Sequence, residues 1–209
     1  MRKPQLLLVP TILCLLSVAI SADDAKPGTA KTEEGWISLF NGKDLTGWKA
    51  SEGVEWKVKD GAIVTPPKRS HLFTDHEFKN FELKVDVMTT PGSNSGIYFH
   101  TKYEDTFPNA GYESQVNVTH TDPVKTGSLY NVVKVFKTPA QDNKWWTQTI
   151  IVKGKHITTK VNDKVLFEYV EPEGVTGTRR LGKGSFALQG HDPKSVVYFK
   201  NIRVRPLAD

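Results

Sequence analysis

Apolar and polar residues alternate along most of this chain, and helical periodicity is nearly absent. In FELKVDV (81–87), Phe81, Leu83, Val85 and Val87 fall on one face and Glu82, Lys84 and Asp86 on the other. That is the period of a strand with one buried side. Further short runs rich in β-branched and aromatic residues are GIYFHT, YESQVNV, LYNVVKVF, TQTIIVKG, HITTKVND, KVLFEYV, GSFALQGH and SVVYFKNIRV, and Gly, Pro, Asn and Asp separate them. Strands at this spacing predict an all-β fold, a β-sandwich. KDG (59–61) and VND (161–163) read as hairpin turns, because Asp-Gly and Asn-Asp tolerate positive φ. In VVYFKNIRV the apolar parity shifts between Phe199 and Ile202, which calls for a bulge near Lys200 and Asn201. No helix follows GSNSG (92–96), so it reads as a tight loop between strands rather than a phosphate cradle.

The start of the chain breaks the pattern. Of its 209 residues, the first 22 read MRKPQLLLVPTILCLLSVAISA: two basic residues, an apolar run, then small residues before Asp23, the layout of a secretory signal peptide. Pro10 interrupts the run and no stop-transfer pattern follows, which argues against a membrane anchor. The only cysteine, Cys14, lies inside the run, with Leu13 where a lipidated cysteine wants a small residue. The mature chain is therefore expected to lack disulfides and membrane attachment although it is exported, which suits a secreted or periplasmic bacterial protein. Residues 23–34, DDAKPGTAKTEE, lack large apolar groups and read as a flexible lead-in. Residues 35–209 remain as a single domain that burial has to stabilise. Without Arg2 and Lys3 the formal charge falls from +5 to +3, too mild and too dispersed for a nucleic-acid partner.

Several strands carry polar faces of a particular kind. In YESQVNV, Tyr112, Ser114, Val116 and Val118 share one face, and Glu113, Gln115 and Asn117 the other. Side chains two apart on a strand are separated by about 7 Å, so three of them span one to two sugar rings. In GSFALQGH, Phe186 and Leu188 are expected in the core with Gln189 and His191 opposite; Tyr98 and His100 likewise share a face opposite Ile97 and Phe99. An ordinary solvated face favours Lys, Glu and Thr, whereas amides with His and Tyr on several strands predict a polar cleft where those strands are neighbours.

GWISLFNGKDLTGWK, WKVKDGAIV, FELKVDV, GSNSGIYFH, GYESQV, GSLY, KWWTQTIIVKGKHITTKVNDKVL and FALQGHDPKSVVYFKNIRVRPL, in that order, resemble the 3-keto-disaccharide hydrolase family over Gly35 to Leu207. The resemblance implies a concanavalin-like jelly-roll sandwich with a carbohydrate cleft on its concave sheet. It also implies cleavage of glycosides oxidised at C3, for some members a lyase step followed by hydration, with a sugar 3-oxidoreductase as the functional partner that supplies the ketone. The family pattern often carries arginine after NSGIYF; here His100 stands there.

Ordinary glycoside hydrolysis wants two carboxyl groups flanking the bond, and sandwich glucanases of similar fold place theirs on one strand. This chain offers Glu113 and then Gln115 and Asn117, so hydrolysis of an unmodified glycan is disfavoured. A ketone at C3 acidifies the C2 hydrogen, and a base, an acid and hydrogen-bond donors for the enolate then suffice. Glu113 and His191 are the candidate base and acid, in either order; Gln115, Gln189, His100, Tyr98, Asn117 and Lys134 are candidate substrate partners. Trp145 is a candidate sugar-stacking platform beside Trp146, while Trp36, Trp48 and Trp56 are expected to pack the N-terminal segment onto the sandwich. No cofactor is evident. His71, His76, His120 and His156 show no metal-ligand spacing, although His120 and Asp122 at the rim leave a bound divalent cation open. The alternatives are a non-catalytic carbohydrate-binding module on the same sandwich and a laminin-G-type adhesion module using its rim.

Overall fold

The computed structural model describes residues 34–209; the expected signal peptide and all but the last residue of the lead-in lie outside the described residues. Among these there are thirteen strands and no helix. They are β1 (Ile37–Ser38), β2 (Trp48–Ala50), β3 (Lys57–Lys59), β4 (Ala62–Val64), β5 (Ser70–Thr74), β6 (Phe81–Thr89) and β7 (Asn94–Thr101), followed by β8 (Tyr112–Asn117), β9 (Trp146–Lys153), β10 (His156–Val161), β11 (Lys164–Val170), β12 (Ser185–Gly190) and β13 (Val197–Pro206). An eight-stranded sheet runs β11-β10-β9-β6-β13-β4-β3 with β1 also on β13, and a five-stranded sheet runs β2-β5-β12-β7-β8. This is the β-sandwich that the alternation predicts, in the jelly-roll form that the resemblance implies.

The inward faces meet in one apolar core. Phe81, Leu83, Val85 and Val87 of β6 face Phe99, Tyr112, Val116, Phe186 and Leu188 of the smaller sheet, as period-two parity requires. Gln148 of β9 reaches across this core, its Nε2 donating to Ser114 Oγ at 2.8 Å and to the Gln115 carbonyl at 3.2 Å, and so ties β8 to the opposite sheet. Both hairpins have positive φ at their two central residues, 50° and 74° at Asp60 and Gly61, 48° and 63° at Asn162 and Asp163, the geometry that follows the strand twist. The bulge in β13 lies where parity demands it. Asn201 has φ 49° and the register skips between Lys200 and Arg203, which turns Ile202 and Val204 into the same core as Val197 and Phe199. Trp48 and Trp56 join the core. Trp36 is buried outside it, under the cations of Lys84, Arg203 and Arg205.

Two segments differ from the sequence expectation. LYNVVKVF (129–136) is not a strand: Leu129 and Val133 close on each other through both backbone hydrogen bonds, at 3.0 and 2.8 Å, with Asn131 at φ 61°. Its β-branched composition serves a different purpose. Tyr130 N–H donates to the Glu113 carbonyl and Gln115 N–H to the Ser128 carbonyl, so the segment covers the open edge of β8. In GSNSG only Gly92 and Ser93 belong to a turn; Asn94, Ser95 and Gly96 open β7, paired with Asn117, Val116 and Gln115. Pairing with β8 overrides the turn preference of Asn and Gly.

Candidate active site

Strands β12, β7 and β8 are neighbours, and their outward side chains build a pocket of about 240 Å³. It is lined by Asn94 and Tyr98 of β7, Glu113 and Gln115 of β8, Gln189 of β12, and His191, Phe107 and Tyr130 from the flanking loops. The volume lies just below the range of drug-sized ligand pockets and suits a single sugar ring. Tyr98 stands opposite Glu113 in register, and Gly96 opposite Gln115. Gly96 is what lets the Glu113 side chain lie flat: a Cβ there would meet Glu113 Cγ at 2.8 Å and Cδ at 2.9 Å.

The electrostatics single out two groups. Glu113 is 4% exposed and takes part in no ion pair among the described residues. Burial lifts its pKa from 4.5 to about 7, against the pull of the Tyr98 hydroxyl and the Arg179 guanidinium. It is thus poised to hold or release a proton near neutrality. His191 is oriented by its neighbour: its Nδ1 donates to Asp192 Oδ2 at 2.8 Å. Burial works against the Asp192 charge, but hydrogen bonds from Ser195, His191 and the Lys194 N–H outweigh it and hold the carboxyl at about 2. In the neutral imidazole, an ionised Asp192 fixes the proton on Nδ1 and leaves Nε2 as the acceptor. Nε2 faces Asn94 Nδ2 at 3.4 Å. The Asn94 amide is held the right way round, because Gln115 Nε2 donates to its Oδ1 at 3.1 Å while its Nδ2 also faces His120 Nδ1, which accepts from the Asp122 N–H. Gln115 keeps a second N–H for a ligand.

A sequence profile described as the 3-keto-alpha-glucoside-1,2-lyase-like domain matches residues 35–205. The chain belongs to this family. A 3-keto-disaccharide hydrolase from Bacteroides thetaiotaomicron is 32% identical over 79 residues, a stretch that spans 32% of this chain and 27% of that protein. A crystal structure from Parabacteroides distasonis, provisionally described as a glycosyl hydrolase, superposes with a TM-score of 0.71 at 26% identity, over 84% of this chain and 95% of the other. The carbohydrate binding module CBM66 from Bacillus subtilis shares the fold, with a TM-score of 0.57 at 14% identity over 75% of this chain and 94% of its own. The protein is a carbohydrate-active domain on a jelly-roll sandwich.

Glu113, His191, Gln115, Gln189 and Tyr98 line the pocket of this lyase-like domain as parity predicts; four other candidates do not. His100 has φ 56°, next to a slip in the β12–β7 register, so the alternation that would have set it beside Tyr98 ends before it. Its ring packs on Phe81 and Phe99, with Nε2 on the Lys79 carbonyl at 2.8 Å and Nδ1 accepting from Gly182 N–H at 3.1 Å. Asn117 turns its amide to the Asp122 and Val124 carbonyls, at 2.9 and 2.8 Å, and shapes the loop after β8. Lys134 lies on the edge-covering segment, away from the pocket lining. Trp145 precedes β9 in the other sheet, 4.0 Å below the Lys200 ammonium, in a separate depression with Gln141, Lys144 and Asn162; Trp146 is core. His120 does reach the pocket rim, through Asn94. Sequence reasoning missed Asn94, Phe107, Tyr130, Asp192 and Arg179. Asn94 shares strand parity with Tyr98, and Asp192 adjoins His191, so both left a signal; Phe107 and Arg179 sit in irregular loops and left none.

Proposed function

We propose that the domain cleaves 3-keto-glycosides by 1,2-elimination, outside the cytoplasm if residues 1–22 act as the expected leader. The observation that carries this reading is that, among the described residues, one carboxyl group lines the pocket, Glu113, near-neutral in pKa and set with an Asp-oriented histidine rather than a second carboxylate. His191 Nε2 takes the C2 proton, made acidic by the C3 ketone. The electron pair of C2–H becomes the C2–C3 double bond of an enolate, with charge on O3 that the second N–H of Gln115 can meet. The enolate re-forms its ketone as the C1–O1 bond breaks, and Glu113 gives its proton to the departing oxygen. The products are an alcohol and a 3-keto sugar unsaturated between C1 and C2. Addition of water, hydroxyl to C1 and hydrogen to C2, completes a net hydrolysis. A sugar 3-oxidoreductase has to install the ketone beforehand.

The test is to incubate the protein with a 3-keto-glucoside and with its unoxidised parent and to follow aglycone release. Release from the keto substrate alone is expected. Binding without release would make the domain a carbohydrate-binding module, and equal release from the parent would remove the ketone from the mechanism. The pH profile assigns the roles. With Glu113 as the acid, kcat/KM falls as pH rises through about 7, and Glu113→Gln abolishes that alkaline limb. A profile that falls below pH 7 because of Glu113 would exchange the roles of Glu113 and His191.

A further inference from the structure

The lining of the pocket sorts by depth. Its five strand residues are 2–7% exposed and form a polar floor, whereas Phe107 from the β7–β8 loop is 38% exposed and stands at the mouth. A lone exposed phenylalanine is ordinary on a protein surface. This one is braced. Glu104 accepts from both the N–H and the Nδ2 of Asn109, at 3.4 and 2.6 Å, which closes the loop around Phe107. Asp105 Oδ1 accepts from Glu52 N–H at 3.0 Å and from the Tyr103 hydroxyl at 3.1 Å, and the Lys49 ammonium lies 3.5 Å from the centre of the Tyr103 ring. These contacts tie the loop to β2 and to the turn after it. The phenyl ring itself stands perpendicular to His71 and Tyr98, at 90° and 89°, so neither covers it as a stacked ring would.

A fixed aromatic surface above a polar floor calls for a substrate with two unlike parts. The floor offers hydrogen bonds and suits the oxidised sugar, which by itself fills a volume of about 240 Å³. The group bonded through O1 then has to lie outside that volume, across the mouth. Phenylalanine can offer it no hydrogen bond, only a flat apolar surface, which fits the C–H face of a second sugar ring. The phenyl ring also stands on the acid's side of the pocket: it packs on Tyr98, whose register partner is Glu113. We infer that Phe107 is the stacking platform for the leaving group, a specificity-determining residue that favours 3-keto-glycosides leaving a second sugar ring over those leaving a small alcohol. This inference rests on the elimination reading above.

The experiment compares the protein with its Phe107→Ala, Phe107→Leu and Phe107→Tyr variants on two substrates: a methyl 3-keto-glucoside, and the 3-keto disaccharide in which glucose takes the place of the methyl group. Phe107→Ala and Phe107→Leu are each expected to lose at least about tenfold more kcat/KM on the disaccharide than on the methyl glycoside, and Phe107→Tyr less than about threefold more. Comparing losses cancels the intrinsic reactivity of the two leaving groups. Leucine keeps apolar bulk without the plane and tyrosine keeps the plane, so a fault in folding would not sort the variants in this way. Equal losses on both substrates would mean that Phe107 only walls the pocket, and would overturn the inference while leaving the elimination reading intact. A disaccharide preference that survives in Phe107→Leu would show that bulk rather than a stacking face is at work, and would overturn the platform. No cleavage of either substrate by the unaltered protein would remove the elimination reading and this inference with it.

Discussion

Glu113→Gln is expected to lower turnover of a 3-keto-glucoside at least about a hundredfold while making the folded protein more stable at pH 8. Gln keeps the shape of Glu and an acceptor for the Tyr98 hydroxyl but cannot protonate a leaving oxygen. The stability gain comes from the raised pKa. The group titrates at its ordinary 4.5 in the unfolded chain and at about 7 in the fold, because burial disfavours the carboxylate. Below pH 4.5 both folded and unfolded chains hold the proton, and the residue does not bias folding. As pH rises from 4.5 to 7 the unfolded chain releases the proton while the fold retains it, so stability drains away with rising pH. Above 7 the full cost is present, about 3 kcal/mol for a shift of this size. Gln does not titrate and escapes that cost. Urea unfolding of both proteins at about pH 4.5 and about pH 8 measures it: the advantage of the variant should be larger at the higher pH by about 3 kcal/mol. The same difference at both pH values would show that Glu113 ionises freely in the fold.

A gain in stability with a loss of activity marks a group kept for chemistry rather than for packing. The other buried carboxyl near β8 behaves differently. Glu171 Oε2 accepts both from the Tyr112 hydroxyl at 2.5 Å and from Leu181 N–H at 2.7 Å, so this one oxygen anchors the loop between β11 and β12 to the base of β8. Glu113 has the Tyr98 hydroxyl and an open pocket.

How much of this was legible follows from where period two holds. Along β8 and β12 the backbone is regular, so parity alone separated Glu113, Gln115 and Gln189 from Tyr112, Val116, Phe186 and Leu188. At His100 one positive φ ends the alternation, and the apolar-polar pattern of GIYFHT runs through it without a break. Asn94 was hidden by its own composition: a Gly-Ser-Asn-Ser-Gly string has the chemistry of a turn, and only pairing with β8 makes half of it a strand. Trp145 and Lys134 show the limit of face arguments without topology. Each stands near a strand-like run, but the sheet it belongs to decides whether it can reach the pocket. Phe107 is set by the loop between β7 and β8, where its ring meets His71 and Tyr98 edge-on at 5.6 and 6.0 Å. Contacts between residues this far apart in sequence, made by a loop without periodicity, leave no local pattern to read.

Gly96→Ala is expected to reproduce the catalytic loss of Glu113→Gln without touching an ionisable group. The space a Cβ would take is already filled by Glu113, whose Cγ and Cδ would lie 2.8 and 2.9 Å from it, closer than real methyl contacts allow. Either the carboxyl swings out of the pocket or β7 and β8 part. The first is the easier course, because the β7–β8 ladder is continuous from Asn94 to Phe99 and β8 is tied to β9 by Gln148. Turnover should fall about a hundredfold, with a loss of about 1–3 kcal/mol in stability from the crowding. Gly96 thereby acts as a positioning residue, and a double variant tests this. If the glycine works only through the carboxyl, Gly96→Ala combined with Glu113→Gln should be no slower than Glu113→Gln alone, since neither has an acid left to displace. Losses that multiply would mean that the added methyl group damages the pocket by a route independent of Glu113. An alkaline limb that survives near pH 7 in Gly96→Ala would show that the buried carboxyl had never moved.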